Sequence, residues 1–518
     1  MKSARQKMVK AAGLLLVLQV VEQATALMKQ VLIAAQFGTS ETMDSYLMAT
    51  TIAGLIVLWV GLPIRQTVIP MFRHDLAQRG EPFAWANASL LLNNLLIVLV
   101  FILFVAELIA PYLIAVVAPG FHEGTASMAT VLTRITVISI VFVGMGNLLS
   151  QLLYSYKRFL LPGIAGTVQN VVVMLGLLAL GRTYGIYGLA AAVVLGAVCH
   201  FALQLPILWQ KRKLYAATVN LRHPHMIEVG KLGFPLLIST GGNELGRITD
   251  RIFASLLSAG SLSALAFAHR PITVLLEFII QPFHTVTLPH FAKLSANGDF
   301  PTLSRQLFHY VRVIAFVTFP VAIGVMLMAE DAVRLLYQHG AFDEYSVRIT
   351  SEALLFYAVG IPAQAIMRIF RTAFFNLKDT WTPTKIALVR IAIKIILSWV
   401  LVRQFSHVGI ALAESVSLVA NALLLFCFLP KELRGQEGRK TGTALAQTAA
   451  GCLVMAAVVY LVRTEVNGLL NAPLELVSMA LLGVLVYGFF ALIFRMEASQ
   501  FVLRTLTQLG AKYIPRSS

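Results

Sequence analysis

Several residues able to bind or move charge stand inside stretches that are otherwise apolar. Glu22, Gln23 and Lys29 recur with Gln19, Ala26 and Gln30 at intervals of three and four, which puts them on one face of a helix. Asn243, Glu244, Arg247, Asp250 and Arg251 repeat that spacing in a later stretch, and Arg270, Arg368, Arg371, Arg390 and Lys394 follow in others. An ionisable group near the centre of a bilayer costs about 2.5–3.5 kcal/mol on insertion scales, so such groups face a bundle interior or a wet cavity. Fixed cations in a space of low dielectric replace the hydration of an anion such as a diphosphate, arginine through a planar fork and lysine as a point charge. Lys29, Arg270, Arg251, Arg368 and the neighbouring amide of Gln23 are therefore candidate anion ligands. The acids Glu22, Asp44, Asp250 and Glu244 are candidates for gating or ion linkage.

Each candidate has a plainer alternative. Glu244, Arg247, Asp250 and Arg251 could form an internal salt-bridge network that only holds their span in its bundle. Lys29 and Arg270 could pair with Glu22 or Glu277, and Lys394 with Glu414. Asp44 could stabilise the start of its own helix, and His269 could bond a neighbour rather than sense protons. Nucleotide and enzyme chemistry find little support: no GxxxxGK[ST] is present for a P-loop, and Asp343-Glu344 is the one acidic loop pair near which a membrane transferase could be imagined. Cys199, Cys427 and Cys452 lie in apolar runs without ligand spacing, so neither a disulfide nor a metal site is expected.

The elements that must position these residues are membrane spans. Of 518 residues, 58% are hydrophobic and 13% charged, roughly half the usual charged share of a soluble domain. About fourteen apolar segments approach the ~20 residues a bilayer crossing needs. The longest polar stretch, around 209–230, is too short for a soluble catalytic domain. The net charge of +17 is not a nucleic-acid signal here. Its lysines and arginines concentrate in alternate short loops, which marks those loops and both termini as cytoplasmic. The basic N-terminus leads into an apolar run interrupted by Gln19, Glu22, Gln23 and Lys29, and reads as a retained first span rather than a cleaved signal.

An internal repeat divides the chain. Pro63-Ile-Arg-Gln-Thr-Val-Ile-Pro70-Met-Phe72 aligns with Pro282-Phe-His-Thr-Val-Thr-Leu-Pro289-His-Phe291 at an offset of 219. Lys157-Arg-Phe-Leu-Leu-Pro162 aligns with Lys378-Asp-Thr-Trp-Thr-Pro383, and Gly188-Leu-Ala with Gly409-Ile-Ala, both at 221. The expected architecture is an all-α polytopic membrane protein. Residues 1–210 and 229–430 would form two parallel six-helix lobes in pseudo-twofold arrangement, joined by a cytoplasmic linker at 211–228. Residues 431–518 would supply two more spans and a tail. Parallel repeats build many alternating-access carriers, with the substrate near the midplane.

At these anchors the sequence resembles the lipid II flippase family (MurJ/MviN-like), a branch of the multidrug/oligosaccharidyl-lipid/polysaccharide transporter superfamily. The resemblance rests on Phe37-Gly38 with Asp44, on Thr249-Asp250-Arg251-Ile-Phe-Ala-Ser255, and on Gly260-Ser-Leu-Ser-Ala-Leu-Ala-Phe-Ala-His-Arg270. Leu335-Leu-Tyr-Gln-His-Gly340-Ala-Phe342 and Ala373-Phe-Phe-Asn-Leu-Lys378-Asp-Thr-Trp-Thr-Pro383 extend it. It implies a flippase of the bacterial cytoplasmic membrane moving an undecaprenyl-pyrophosphate-linked saccharide. Arg270 stands at the family's eighth-span arginine, Lys29 replaces a first-span arginine, and Gln23 and Val57 occupy two further arginine positions. The cargo implied is lipid II or a related exopolysaccharide repeat, and the alternative is a cation-coupled multidrug exporter. No cofactor is implied; the drive would be Na+, H+ or the membrane potential, and the partners membrane lipid and cell-envelope glycan synthesis enzymes.

Overall fold

The computed structural model describes residues 2–220, 222–466 and 471–500, and among them every regular element is a helix. The chain forms two compact units, Met1–Ser263 with His339–Asp343, and Ala264–Gln338 with Glu344–Ser518. The first unit holds α1 (Lys2–Phe37), α2 (Glu41–Val117), α3 (Glu123–Val137), α4 (Ser139–Ser155), α5 (Leu160–Ala202), α6 (Pro206–Gln210) and α7 (Pro224–Ser255). The second is built from α8 (Ser261–Ala296), whose first turn belongs to the first unit, then α9 (Phe300–Leu327), α10 (Ala329–Tyr337), α11 (Glu344–Ala358) and α12 (Ile361–Asn376). It ends with α13 (Trp381–Phe428), α14 (Lys431–Val466) and α15 (Ala472–Ile493).

Among the described residues eight helical stretches are long and apolar enough to cross a membrane, nine if α11 and α12, bent by 42° at their junction, count as one span. Several of the long helices are double. Gly80 breaks α2, Gly185 breaks α5 and Ser406 breaks α13, an order consistent with about fourteen crossings. Many side chains on the outer faces are large and apolar: Phe101, Leu453 and Val484 are 65%, 70% and 69% exposed. Water would penalise such surfaces; hydrocarbon does not. The chain is a multi-pass membrane protein.

The repeat is written in the backbone as well as in the letters. Lys157 and Lys378, 221 residues apart, both take a left-handed conformation, φ 59° and 61°. Each ends a helix in the same way: Arg158 N–H donates to Leu153 O at 2.9 Å, and Asp379 N–H to Phe374 O at 3.0 Å, the six-to-one bond of a Schellman cap. At the same offset Gly185 has φ 56°, ψ −134° and Ser406 has φ 52°, ψ −135°. Glycine adopts that region freely, whereas a residue with a Cβ is strained there.

Polar contacts tie down the ends. In the first unit Trp85 Nε1 donates to the Tyr156 hydroxyl at 2.8 Å, which donates to Glu81, itself 2.6 Å from Lys211 Nζ. Asn93 and Asn94 hold the segment after α6 by accepting from, or donating to, Ala216, Thr218 and Asn220. In the second unit the nearly buried Arg312 on α9 reaches Glu437 on α14 at 3.2 Å, and Arg463 at the far end of α14 reaches Asp331 at 2.6 Å. Between these clamps Met328, Cys452, Met455, Val459, Met479 and Tyr487 form an apolar core, so the last two helices are fixed to the bundle.

Candidate functional site

The first-helix stripe faces α5. Glu22, Lys29 and Gln36 stand seven apart, and α5 meets them with Gly166, Asn170 and Gly181: a Cβ at Gly166 or Gly181 would collide with the Glu22 carboxylate or the Gln36 amide. Lys29 Nζ donates to Asn170 Oδ1 at 2.7 Å, while Asn170 Nδ2 donates to the Glu22 carbonyl at 3.4 Å. Glu22, Gln23 and Lys29 are all half-buried. Glu22 and Arg65, an exposed cation on α2, lie within electrostatic range of the Tyr154 hydroxyl, and Arg65 is also within range of His200. His200 is buried against Gly146.

Asn170, Tyr154 and Arg65 were not singled out from the sequence. Arg65 lies between Pro63 and Pro70 in the second apolar segment, and the same cost of burying charge that flagged Lys29 applies to it. Asn170 carried no signal, since a lone amide in a span is common and its partner is 141 residues away.

Asp44 is buried and does not cap its own helix. Ser40 does that, accepting from Met43 N–H at 3.3 Å. The Asp44 carboxylate instead accepts from Gly260 N–H at 2.8 Å and Ser263 N–H at 2.7 Å, at the start of α8. A negative charge is stabilised by the unsatisfied N–H groups of a helix start. Gly260, with φ 87°, lets the chain pass against Thr39 where a Cβ would clash. Arg251 is within electrostatic range of the same carboxylate. On α7, buried Glu244 is 3.4 Å from exposed Arg247, one turn away, while Asp250 and Arg251 are half-buried. Glu22, Gln23, Lys29, Asp44, Glu244, Asp250 and Arg251 thus all belong to the first unit.

Arg270 and Arg368 belong to the second. Arg270 is half-buried on α8 and within electrostatic range of the Tyr337 hydroxyl. Its neighbour His269 is exposed, lies 3.2 Å from the Thr273 hydroxyl and packs edge-on to Tyr357. Arg368 pairs with Glu277 at 2.9 Å. Glu414 accepts from Lys394 at 2.7 Å and Arg390 at 3.2 Å, so the pairing of Lys394 with Glu414 is present and includes a third partner. Among the described residues no group of His, Cys, Asp and Glu could hold a metal ion. The arrangement supplies hydrogen-bond donors and positive charge in both units, and, within the first unit, a carboxylate that holds the N–H groups of Gly260 and Ser263.

The chain is 27% identical over 466 residues to a lipid II flippase MurJ of Burkholderia cenocepacia, covering 88% of this chain and 90% of that one. It is 26% identical over 487 residues to a probable lipid II flippase MurJ of Thermotoga maritima, covering 93% and 95%. Its fold superposes on a lipid II flippase MurJ in an inward closed conformation with a TM-score of 0.78 at 22% identity, over 93% of this chain and 98% of that structure. An inward-facing multidrug transporter of the MATE family matches at 0.69 and 14% identity, over 82% and 95%. The family model described as lipid II flippase MurJ matches residues 33–484, and the chain belongs to that family.

Proposed function

We propose that this protein moves lipid II, a prenyl-diphosphate-linked saccharide, across the bacterial cytoplasmic membrane by alternating access, without catalysing a chemical reaction. The observation that carries this reading is the match to the lipid II flippase family along residues 33–484. In it Lys29, Arg270, Arg251 and Arg368, with the amide of Gln23, receive the diphosphate. A diphosphate carries at least two negative charges, and charge-assisted bonds from fixed cations replace the water it gives up. Asp44 closes the outer end by holding Gly260 and Ser263, and release of those two N–H groups opens it. Glu22, Asp250 and Glu244 are the acids through which a coupling ion, Na+ or H+, would act. The membrane potential contributes about 2.3 kcal/mol per charge per 100 mV and could reset a charged empty carrier. Both termini lie in the cytoplasm, and cell-envelope glycan synthesis enzymes supply the cargo.

The test is rescue of growth in bacteria depleted of their own flippase. The wild-type chain should rescue, whereas Lys29→Ala and Arg270→Ala should insert normally and fail. Rescue by both variants would refute the headgroup role, and failure of the wild type alongside efflux of cationic dyes would favour a multidrug exporter.

A further inference from the structure

The second unit contains cations that the diphosphate reading leaves over, Arg371, Arg390 and Lys394, grouped with Arg368. On α12 and α13, Arg368, Arg371, Arg390 and Lys394 are accompanied by two carboxylates, Glu277 and Glu414, each already engaged. Arg371 meets neither. Its nearest hydrogen-bonding neighbour is the Met367 sulfur at 4.0 Å, and the charges in its electrostatic range are the cations Arg390 and Arg368. Arg390 is 6% exposed and its Nε–H is buried without an acceptor. A half-buried guanidinium with cations in its electrostatic range and no carboxylate bonded to it is costly unless something negative joins it.

The repeat shows that the fold does not demand these charges. At the offset of 221 fixed by the matching caps and breaks, Arg368, Arg371, Arg390, Lys394 and Glu414 correspond to Asn147, Ser150, Gln169, Val173 and Val193. The first unit makes the same helix ends and the same break with neutral side chains there, and Ser150 simply donates to Gln204 at 2.7 Å. The helix ends and the break therefore do not require this group of charges, and Arg371, which no carboxylate of the group meets, is the member that folding leaves unexplained.

We propose that Arg371, backed by Arg390 and next to the diphosphate ligand Arg368, is an anion subsite that takes a carboxylate of the transported headgroup rather than its diphosphate. The planar fork of arginine fits a carboxylate in two parallel bonds. Every other cation of the cluster already holds that class of partner. Arg371 lies five residues from the end of α12, close enough to the cytoplasmic end for a headgroup entering from that side. Peptidoglycan precursors carry peptide carboxylates besides the diphosphate, so this subsite selects lipid II over an uncharged saccharide repeat on the same carrier lipid. The inference rests on the flippase reading above.

The experiment compares two ligands on the purified full chain in nanodiscs: lipid II with its peptide, and the same undecaprenyl-diphosphate disaccharide without the peptide. Arg371→Ser, which installs the residue the first unit carries, and Arg371→Gln should each weaken binding of the peptide-bearing lipid about tenfold or more. Neither should change binding of the peptide-free lipid by more than about twofold, and Arg371→Lys should recover part of the loss. Thermal unfolding of each variant reports folding separately. An equal loss for both lipids, or a loss for neither, overturns the subsite while leaving the flippase reading intact. Failure of the wild type to bind either lipid sinks the flippase reading itself.

Discussion

If Asp44 gates the carrier as proposed, replacing it by asparagine should loosen its contact with Gly260 and Ser263 by an amount the geometry fixes. The carboxylate accepts two backbone N–H groups, at 2.8 and 2.7 Å, from a site where Asp44 is 4% exposed. Asparagine keeps one acceptor oxygen and turns an NH2 group toward the other N–H, so one charge-assisted bond is lost and a donor faces a donor. Such a bond contributes about 1.5–3 kcal/mol, which corresponds to an increase of about 10- to 150-fold in the population with this contact open. The assay is labelling of a cysteine at Ser261, which is 2% exposed, by a membrane-impermeant maleimide added outside, in a background with Cys199, Cys427 and Cys452 replaced. Asp44→Asn should raise the labelling rate by that factor while expression and thermal midpoint stay near those of the parent. A rate within about twofold of the parent would show that these bonds do not hold the outer end shut.

Other perturbations follow from the same contacts. Glu414→Gln leaves Lys394 and Arg390 without their shared counter-charge and should destabilise the chain by about 3–5 kcal/mol, read as a lower thermal midpoint; an unchanged midpoint would mean water reaches both cations. Ser406→Gly removes a Cβ from a glycine-like conformation at φ 52°, ψ −135° and should stabilise by about 1 kcal/mol, whereas Gly185→Ala should do the reverse; a lower midpoint for Ser406→Gly would argue against strain there. Asp379, in the loop before α13, accepts from Thr382 N–H at 3.0 Å. Burial pushes its pKa up, but the backbone N–H and hydroxyl of Thr382, the Trp381 N–H and Lys385 outweigh it and hold the group below its usual 3.8. Its contribution should therefore be fully present above pH 3.8 and disappear as the pH falls through the depressed value. Asp379→Ala should cost about 1 kcal/mol near neutrality and nothing in strong acid; a difference that persists in acid would place the cause elsewhere.

The fold was legible because its determinants are local or periodic. Apolar run length marks spans, and a repeat of some 220 residues shows itself in Pro, Gly and Lys-Arg anchors that need no knowledge of packing. The same anchors turn out to be backbone features: Lys157 and Lys378 terminate helices in a left-handed conformation, and the break at Gly185 recurs at Ser406. Glycine could have been guessed at the first break from its letter. Serine at the second could not, because the strain it bears is imposed by the surrounding hairpin rather than by its own preference.

The site was legible by type but not by partner, for a physical reason. The cost of a charge in hydrocarbon identifies which residues must be compensated, and it singled out Lys29, Arg368 and Lys394, which the structure shows bonded to Asn170, Glu277 and Glu414. What compensates them depends on helix rotation and on contacts across long loops, which one sequence does not encode in its spacing. Asp44 illustrates the limit: it stands in the first turn of α2, as its position suggested, but spacing did not disclose that its carboxylate also accepts from N–H groups 216 and 219 positions away. Lys29 was weighed against Glu22 and Glu277, and spacing did not point to the bond it makes to the neutral Asn170 on α5. Glu277 pairs with Arg368, a match between α8 and α12 that the spacing of either helix alone could not choose over Arg270. Charge in a span therefore states a demand, and packing decides whether a neighbouring side chain or a ligand meets it; comparing the two repeated units separates these outcomes, because the same helices appear once with the charges and once without.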